Sequence, residues 1–412
     1  MSHQFEPTVA IAGFGAEGRA LAEFIAARAP ETRIHIFDER PQEVPPTAAS
    51  FTQGLTIPDT IPVVYKSPGI PTHTLTMGLH TRIESLTDVF LDEVAGTVVG
   101  VTGTKGKSTV SSLIHAALQR DGRDAMLIGN IGVPALTALT GDGPARTYVF
   151  EMSSYQCEHL RRSPHVAVFL NLYPEHLTHH GSFEAYREAK KNIARFQGPD
   201  DIFINASGIP CDFAGRLVIP NTERCAPFET RLPGEMNQRN CAVALAVVRE
   251  LGVSEEVARA AFETVAPLPH RLTKVATVRD VTFWDATVAT IPEAAQACIE
   301  ALGTVDTLIL GGVDRTIDLA PFAEYLAHSP IKTFITFPPT GEKMVARVRG
   351  RTIIPVRTME EAVHAAYEHA ERTVLLAPAS ASYDQAGSTG FQNYEDKSRQ
   401  YGEWIRKLAA TR

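Results

Sequence analysis

Short apolar runs alternate with longer amphipathic segments along most of the chain. The apolar runs predict buried strands at 8–12, 33–37, 62–65, 98–101, 125–129, 147–151, 166–171, 202–205, 305–310, 331–336, 352–356 and 373–377. The amphipathic segments between them, and a last one near 395–409, predict helices. Strands that alternate with helices in this way predict an α/β fold with mostly parallel sheets.

Composition narrows the class of protein. With 44% hydrophobic and 21% charged residues, the chain has the balance of a soluble globular protein. A net charge of −8 without a basic stripe argues against binding to nucleic acids. No apolar run is long enough to insert across a membrane. The five cysteines show no C-x-x-C spacing, which predicts a reducing, cytoplasmic location.

The stretch 98–122 carries the strongest chemical signal. An apolar run leads into a glycine-containing loop and then into an amphipathic segment. In a strand–loop–helix unit the loop amides and the helix N-terminus bind phosphate, Lys107 adds a charge, and Ser108 can reach Mg²⁺. We therefore predict a nucleoside triphosphate site formed by Gly103, Thr104, Lys105, Gly106, Lys107, Ser108 and Thr109. Val101 stands where the usual pattern has its first glycine, so a glycine-rich turn with a surface lysine is the alternative.

A second glycine loop follows the first predicted strand. Gly13, Gly15 and Gly18 open a helix, and the next strand ends at Asp38. Taken alone, this spacing is the dinucleotide-binding fingerprint and predicts NAD. The unit is too short for a complete NAD domain, because the triphosphate loop begins before enough further strand–helix repeats occur. We interpret it as a small domain that holds a diphosphate.

Two groups of potential metal ligands follow other predicted strands. Glu151 ends one strand, where a carboxylate is well placed to bind Mg²⁺, with a capping or surface glutamate as the alternative. His176, His179 and His180 follow another strand with the spacing of one helix face. A zinc site is conceivable, but the flanking proline and glycine favour a loop, and no cysteine or HExxH pattern supports zinc. We prefer one functional histidine with two solvated neighbours.

Several other polar residues have ordinary structural interpretations. Lys190 and Lys191 lie in an amphipathic helix and are interpreted as part of its solvated face. Asn237 and Asn240, near the start of the next helix, are interpreted as caps, with recognition of a base as the alternative. In the last third, the loops LGGVDR and APASAS follow strands and are suited to holding a small polar ligand.

These features divide the chain into three predicted domains. At 412 residues the chain exceeds one ordinary core, and Pro267 and Pro269 interrupt it after a helical segment. We predict a small Rossmann-like domain at 1–94, a central P-loop mononucleotide-binding domain with a mostly parallel sheet at 95–267, and a Rossmann-like domain at 268–412.

Taken together and in order, the motifs resemble the Mur ligase family. The resemblance covers essentially the whole chain and rests on GFGAEG, SPGI, TGTKGKST, EMSSYQ, NLYPEHLTHH, YREAKKNI, GEMNQRN, LPHRL, GGVDR and ASYDQ with FQNYE. It implies an ATP-dependent amide ligase that adds D-glutamate to UDP-N-acetylmuramoyl-L-alanine through an acyl phosphate. It also implies Mg²⁺ as a cofactor, small-molecule partners only, and a monomer.

Three alternatives remain at this point. A related ligase of the same family could add L-glutamate or another amino acid. An NAD-dependent oxidoreductase could use GFGAEG, although the second phosphate loop and the short first unit argue against it. A non-catalytic homologue could bind a nucleotide sugar, although the family's lysines, glutamate and histidine are present.

The resemblance also implies roles for individual residues. The UDP-sugar would be bound by Gly15, Ala16, Glu17, Arg40, Ser67, Pro68, Gly69 and Asn130. ATP would be bound by the triphosphate loop together with Asn240, Arg271 and Asp285. The Mg²⁺ ligands would be Ser108, Glu151, His176 and a carbamylated Lys190, and the catalytic residues Lys107, His176 and Lys190. The substrate amino acid would be held by Thr290, Arg315, Ser382 and Tyr394.

The chain departs from the family pattern in several places. Tyr173-Pro174-Glu175-His176 stands where the family has T-x-D-H. Against the family's N-D-[ST]-x-A-T, a gapless alignment puts Asp285 on the asparagine and Ala286 on the aspartate that handles ATP. Either Asp285 takes over that task or nucleotide binding is weakened. Arg315 replaces a lysine and can bind a carboxylate bidentately, and residues 386–390 look like an insertion.

Overall fold

The computed structural model describes residues 3–43, 45–223, 226–267, 270–315, 317–381 and 390–410. Its strands are β1 (Thr8–Ala12), β2 (Arg33–Asp38), β3 (Ala48–Gln53), β4 (Thr56–Ile57), β5 (Val63–Lys66), β6 (Thr76–Met77), β7 (Arg82–Ser85), β8 (Thr97–Thr102), β9 (Ala125–Gly129), β10 (Thr147–Glu151), β11 (Val166–Phe169), β12 (Ile202–Asn205), β13 (Arg216–Val218), β14 (Thr273–Val278), β15 (Val281–Asp285), β16 (Thr307–Gly311), β17 (Thr333–Phe337), β18 (Thr352–Pro355) and β19 (Thr373–Leu376).

Its helices are α1 (Ala16–Arg28), α2 (Leu86–Glu93), α3 (Lys107–Arg120), α4 (Ser154–Cys157), α5 (Leu177–His180), α6 (Phe183–Arg195), α7 (Glu235–Glu250), α8 (Glu255–Phe262), α9 (Pro292–Leu302), α10 (Ala320–His328), α11 (Thr340–Met344), α12 (Met359–His369) and α13 (Tyr394–Ala410). The predicted α/β class with mostly parallel sheets is confirmed. None of the described helices is both long and apolar enough to cross a membrane.

The first sheet is parallel and has the order β3-β2-β1-β5-β7. Ala12 at the end of β1 pairs with Lys66 at the end of β5, so the GFGAEG and SPGI loops leave the sheet side by side. The Ser67 hydroxyl donates a hydrogen bond of 2.6 Å to the Gly13 carbonyl and joins the two loops. The stretch after β2 contains β3 and β4, which the hydrophobic pattern does not predict because their composition is mixed and most of their residues are not buried.

Gly18 is required where α1 packs against the loop before it. A Cβ at Gly18 would lie 2.2 Å from the Gly13 carbonyl oxygen, whereas a Cβ at Gly15 would meet nothing within 4 Å. We expect Gly18→Ala to lower the free energy of unfolding by about 1–3 kcal/mol, since the backbone must shift to relieve the overlap. Gly15→Ala is the matched control and should change it by less than about 0.5 kcal/mol. Urea denaturation with equal midpoints for both variants would contradict this expectation.

The central sheet is also parallel and has the order β13-β12-β11-β8-β10-β9. Strand β8 lies between β10 and β11, so three loops open together at their carboxyl ends. These are the loop that leads from β8 into α3, the loop after Glu151 and the loop that begins at Leu170. In parallel sheets this edge is where ligands bind.

The third sheet has the order β14-β15-β19-β16-β17-β18. Strands β14 and β15 form an antiparallel hairpin at its edge, and the other pairs are parallel. The hairpin is not predicted from the sequence because β14 mixes apolar and polar residues and has a single buried residue, Val278. Strand β19 lies between β15 and β16, which brings their three following loops together.

Contacts divide the chain into two compact units. The first comprises 1–229 with 239–264 and holds the first and central sheets, and the second comprises 230–238 with 265–412 and holds the third sheet. The finer division into domains at 1–94, 95–267 and 268–412 stays a prediction.

Candidate active site

The loop between β8 and α3 has the strand–loop–helix geometry expected for phosphate binding. Helix α3 begins at Lys107, and Gly103 and Gly106 have left-handed φ values of 155° and 87°. A Cβ at Gly106 would lie 2.7 Å from Asn240 Oδ1. Val101, at the position of the usual first glycine, is a buried residue inside β8, so the loop proper starts after the strand.

Asn171 holds this loop in place from the end of the neighbouring strand. Its side-chain oxygen accepts the Lys105 N–H at 2.9 Å, and its side-chain nitrogen donates to the Lys105 carbonyl at 2.9 Å. Its own carbonyl accepts the Thr104 N–H at 3.1 Å. The loop is thus shaped before any ligand arrives, which removes an ordering cost from binding. Asn171 is not among the predicted site residues, and its position directly after a strand is the feature of the sequence that could have indicated it.

Two lysines meet at one carbonyl of the loop. Lys107 Nζ donates to the carbonyls of Gly103 and Thr104, both at 3.1 Å. Lys190 Nζ donates to the Gly103 carbonyl at 2.8 Å and to Thr102 Oγ1 at 3.3 Å. Lys190 is only 1% exposed, so its interpretation as a solvated residue was wrong. Lys107 is partly buried, and its ammonium group is held by the loop carbonyls.

The surroundings of Lys190 disfavour its charged form. Burial, and secondarily the nearby charge of Lys107, lower the pKa of Lys190 to about 7. The ring of Tyr186, one helical turn earlier, lies 4.9 Å from Nζ. A lysine in this state is a nucleophilic amine near neutral pH.

Glu151 carries an unsatisfied buried oxygen. The residue is 1% exposed, and its Oε1 accepts a hydrogen bond of 3.1 Å from Asn130 Nδ2. Its Oε2 is buried with no hydrogen-bond partner among the described residues. Such an oxygen is costly unless a ligand satisfies it, and a carboxylate is a preferred Mg²⁺ ligand. The alternative of a surface or capping glutamate is therefore wrong.

His176 sits in a strained conformation beside the same loop. Its φ of 59° is left-handed, which costs free energy in a non-glycine residue and is concentrated at functional sites. Its Nδ1 lies 2.7 Å from the Tyr155 hydroxyl. The neighbouring Glu175 pairs with Lys105 of the phosphate loop at 3.0 Å. Burial opposes ionisation of Glu175, but the charges of Lys105, His176 and Lys107 outweigh it and hold its pKa at about 2.

The other two histidines belong to a different cluster. The expected loop contains the one-turn helix α5, and its His179 and His180 have ring nitrogens within 4.8 Å of a Glu158 oxygen. His179 is buried and Nε2 lies 3.3 Å from Glu158 Oε2, so a solvated neighbour was the wrong expectation for it. Lys66 Nζ lies 3.1 Å from the same oxygen. A divalent cation would have to displace this ammonium group, so the cluster is better explained as an ion-paired link.

The loops predicted to hold the UDP-sugar are also linked to the central sheet. Gln156 Nε2 donates to Glu17 Oε1 at 2.8 Å, and Thr72 donates to Glu158 Oε1 at 3.0 Å. Asp38, the acidic residue of the NAD-like fingerprint, accepts the backbone N–H groups of Phe14 and Arg40 at 2.7 and 2.9 Å. Both of its oxygens are thus engaged within the loop, which disfavours the ribose contact that NAD would need.

In the second unit, the strand-end loops of the third sheet meet. The Val313 N–H donates to the Ala381 carbonyl at 2.9 Å, and the Ala379 N–H donates to the Ala289 carbonyl at 2.8 Å. The loops that carry Thr290 and Arg315 therefore adjoin the APAS loop, as expected. Tyr394 begins α13, and Ser382 lies outside the described residues.

Asp285 contacts the residue that precedes Arg271 in the chain. Asp285 ends β15, is 3% exposed, and lies 3.0 Å from Nδ1 of His270, the residue before Arg271. Asn240 lies inside α7 and is buried, so its interpretation as a cap was wrong. Asn237 donates to the Pro233 carbonyl at 2.7 Å near the start of that helix.

Known proteins share both the sequence and the architecture of this chain. Residues 101–214 match the model of the Mur ligase middle domain. The chain is 36% identical to the UDP-N-acetylmuramoyl-L-alanine--L-glutamate ligase of a Micromonospora species, over 98% of this chain and 97% of that protein. It is 34% identical to the UDP-N-acetylmuramoylalanine--D-glutamate ligase of Zymomonas mobilis, over 76% and 72%. The crystal structure of the MurF ligase from Thermotoga maritima in complex with ADP has the same fold, with a TM-score of 0.61 at 17% identity over 97% and 95%.

Proposed function

Because the chain belongs to the Mur ligase family, we propose that it is an ATP-dependent amide ligase that adds glutamate to UDP-N-acetylmuramoyl-L-alanine in peptidoglycan precursor synthesis. One observation carries the proposal. Lys107 and Lys190 converge on the Gly103 carbonyl of a preformed phosphate loop, at the same sheet edge as Glu151. This arrangement suits phosphoryl transfer, in which positioning and charge neutralisation provide most of the rate.

The reaction is proposed to proceed through an activated carboxylate. The alanine carboxylate attacks the γ-phosphate of ATP, and an acyl phosphate and ADP form. The glutamate amine then attacks the acyl carbon, and the tetrahedral intermediate expels phosphate as the amide forms. Lys107, whose ammonium group is held by the carbonyls of the phosphate loop, would neutralise the charge that develops on the transferring phosphoryl group.

Mg²⁺ fits the donor set of this site. The unpaired buried oxygen of Glu151, the buried hydroxyl of Ser108 and the ring of His176 would hold it, with Lys190 as a carbamate. When bound, the ion would supply charge neutralisation at the phosphates. Formation of the carbamate requires a neutral amine that attacks CO₂ and loses a proton, and the lowered pKa of Lys190 supports this.

The remaining residues are proposed by resemblance and by their surroundings. The UDP-sugar is assigned to Gly15, Ala16, Glu17, Arg40, Ser67, Pro68, Gly69 and Asn130. ATP is assigned to 103–109 together with Asn240, Arg271 and Asp285. The buried position of Asn240 against Gly106 supports the assignment of Asn240. Glutamate is assigned to Thr290, Arg315, Ser382 and Tyr394. A monomer in the cytoplasm is proposed, and the free thiols of the described cysteines are compatible with a reducing compartment.

The enantiomer of glutamate has two candidates. The order of motifs predicts D-glutamate, as in the Zymomonas relative. L-glutamate is supported by the Micromonospora relative, which is similar over nearly the whole of both chains. The replacement of a lysine by Arg315 occurs in the unit proposed to hold the amino acid, which also favours a change of substrate geometry.

Phosphate release from ATP tests the proposal. The assay contains UDP-N-acetylmuramoyl-L-alanine, ATP and Mg²⁺ with D-glutamate, L-glutamate or no amino acid. We expect release that depends on one enantiomer of glutamate, and a product heavier by one glutamyl residue in mass spectrometry. Lys107→Ala controls for contaminating ATPases. Absence of release with both enantiomers would refute the proposed function.

A further inference from the structure

Asp285, which is assigned to ATP above, belongs to a cluster of three polar side chains at the end of β15 whose other two members have no assigned function. The cluster consists of Asp285, His270 and Ser398, all within the second unit. Ser398 Oγ lies 2.6 Å from His270 Nδ1 and donates to Asp285 Oδ2 at 2.5 Å, and Nδ1 lies 3.0 Å from the same carboxylate oxygen. Asp285 and Ser398 are both buried.

The cluster resembles a nucleophilic triad in composition but not in geometry. In such a triad the serine and the acid contact opposite nitrogens of the histidine. Here both contact Nδ1, and the serine hydroxyl gives its hydrogen to the carboxylate. The contacts in the cluster therefore hold the imidazole of His270 in place, and they do not activate Ser398 as a nucleophile.

The hydrogen bonds around His270 determine that its Nδ1 carries a hydrogen. An ionised carboxylate only accepts, and the Ser398 hydroxyl already donates to it, so Nδ1 must carry a hydrogen to be satisfied here. The ring plane and its tautomer follow from this constraint. Removing either partner would leave the ring free to choose another rotamer or tautomer.

His270 is also the first residue of a strained turn. His270 and Leu272 have left-handed φ values of 64° and 54°, with Arg271 between them. Two left-handed non-glycine residues so close together cost conformational free energy, and they persist only where surrounding contacts hold them. The contacts from Asp285 and Ser398 hold His270 at the start of this turn, which also carries Arg271.

Asp285 itself has little surface left for a ligand. Its Oδ1 accepts the Thr287 N–H at 2.9 Å, and its Oδ2 accepts from Ser398 and faces His270. The residue is 3% exposed. A direct contact with a nucleotide would have to displace these partners.

We infer that Asp285 is a positioning residue that acts through His270 to set the direction of Arg271 for ATP. The inference rests on the proposed function, in which Arg271 contacts the nucleotide. In this way an acidic residue, Asp285, would still contribute to nucleotide binding, although Ala286 occupies the position of the family's aspartate.

A double-mutant cycle on the full-length protein tests this inference. The variants are Asp285→Asn, His270→Asn and the double variant, and asparagine suits His270 because it tolerates a left-handed φ. The Kd for ATP with Mg²⁺ is measured by calorimetry, which requires no turnover, and KM for ATP and glutamate by phosphate release. Each single variant should weaken ATP binding by about tenfold, and the double variant by about the same factor. KM for glutamate should change by less than about twofold.

Asp306→Asn is the matched control. Asp306 is a buried aspartate of the same unit whose carboxylate accepts the backbone N–H groups of Glu371, Arg372 and Thr373. Its replacement should lower the unfolding midpoint without changing the Kd for ATP. An unchanged Kd in Asp285→Asn would overturn the inference. Additive losses in the double variant would do so as well, because they would indicate direct contact of Asp285 with the nucleotide.

Different results would refute the proposed ligase function and the positioning role of Asp285. Wild-type protein that binds ATP but releases no phosphate with either glutamate would refute the proposed ligase, while the cycle would still decide the role of Asp285. Wild-type turnover combined with an unchanged Kd in Asp285→Asn would refute only the positioning role.

Discussion

Lys107→Ala is expected to lower kcat for glutamate-dependent phosphate release by about 10³-fold or more. The Lys107 ammonium is held by the Gly103 and Thr104 carbonyls, so its charge is in place before the substrates bind. Alanine cannot neutralise the charge that develops on the transferring phosphoryl group. The loss should exceed any change in KM, since the interaction strengthens in the transition state.

Lys191→Ala is the control for this measurement. Lys191 pairs with Glu188 at 3.0 Å on α6 and has no proposed part in the reaction, so its replacement should leave kcat within about twofold. Circular dichroism of both variants should match the wild type. A Lys107→Ala protein with turnover within tenfold of the wild type would exclude the proposed mechanism.

Lys190→Gln is expected to lower kcat by about 10²–10³-fold, because the neutral amide cannot form a carbamate. Lys190 is buried, so a loss cannot come from a change in surface charge, and the glutamine amide can still donate a hydrogen bond towards the Gly103 carbonyl. Lys191→Ala again serves as the neighbour control. ¹³C NMR of the wild type in ¹³C-bicarbonate should show a carbamate signal that Lys190→Gln lacks, and a signal present in both would contradict the assignment.

The pH dependence of the same group follows from its lowered pKa. With a pKa of about 7, the neutral amine makes up about one tenth of Lys190 at pH 6 and about nine tenths at pH 8. An ordinary lysine would have well under about 1% neutral amine at pH 8. Removal of CO₂ should therefore lower activity, and activity should return faster at pH 8 than at pH 6 when the concentration of dissolved CO₂ is kept the same at both pH values. Restoration that is independent of pH would argue against a neutral Lys190 as the acceptor.

One departure from the family pattern, Glu175, acquires an explanation in the structure. Glu175 replaces the usual aspartate, and its carboxylate pairs with Lys105 of the phosphate loop. The longer glutamate side chain thus joins the loop that carries His176 to the loop proposed to bind the triphosphate. Sequence spacing could not indicate this pair, because the two residues are separated by 70 positions.

The fold was predictable from the sequence to a large extent. Buried strands such as β8 and β10 are continuous apolar runs, and the helices between them have one apolar face, so hydrogen bonding and burial are both encoded locally. Among the strands that escaped prediction, β3 and the β14–β15 hairpin are partly exposed and have a mixed composition. Their strand state depends on pairing with a distant neighbour.

The sequence by itself determined the α/β class, the phosphate loop and the family, because each of these depends on short stretches of adjacent residues. Only the tertiary structure decided which polar side chains are buried and what they contact. Lys190 and His179 were expected to be solvated, and neither is. Glu151 was left open, and it proved to be buried with an unpaired oxygen. The physical reason is that burial of a polar group depends on the order of strands in the sheet, and β8 meets β10 and β11 across long stretches of intervening chain.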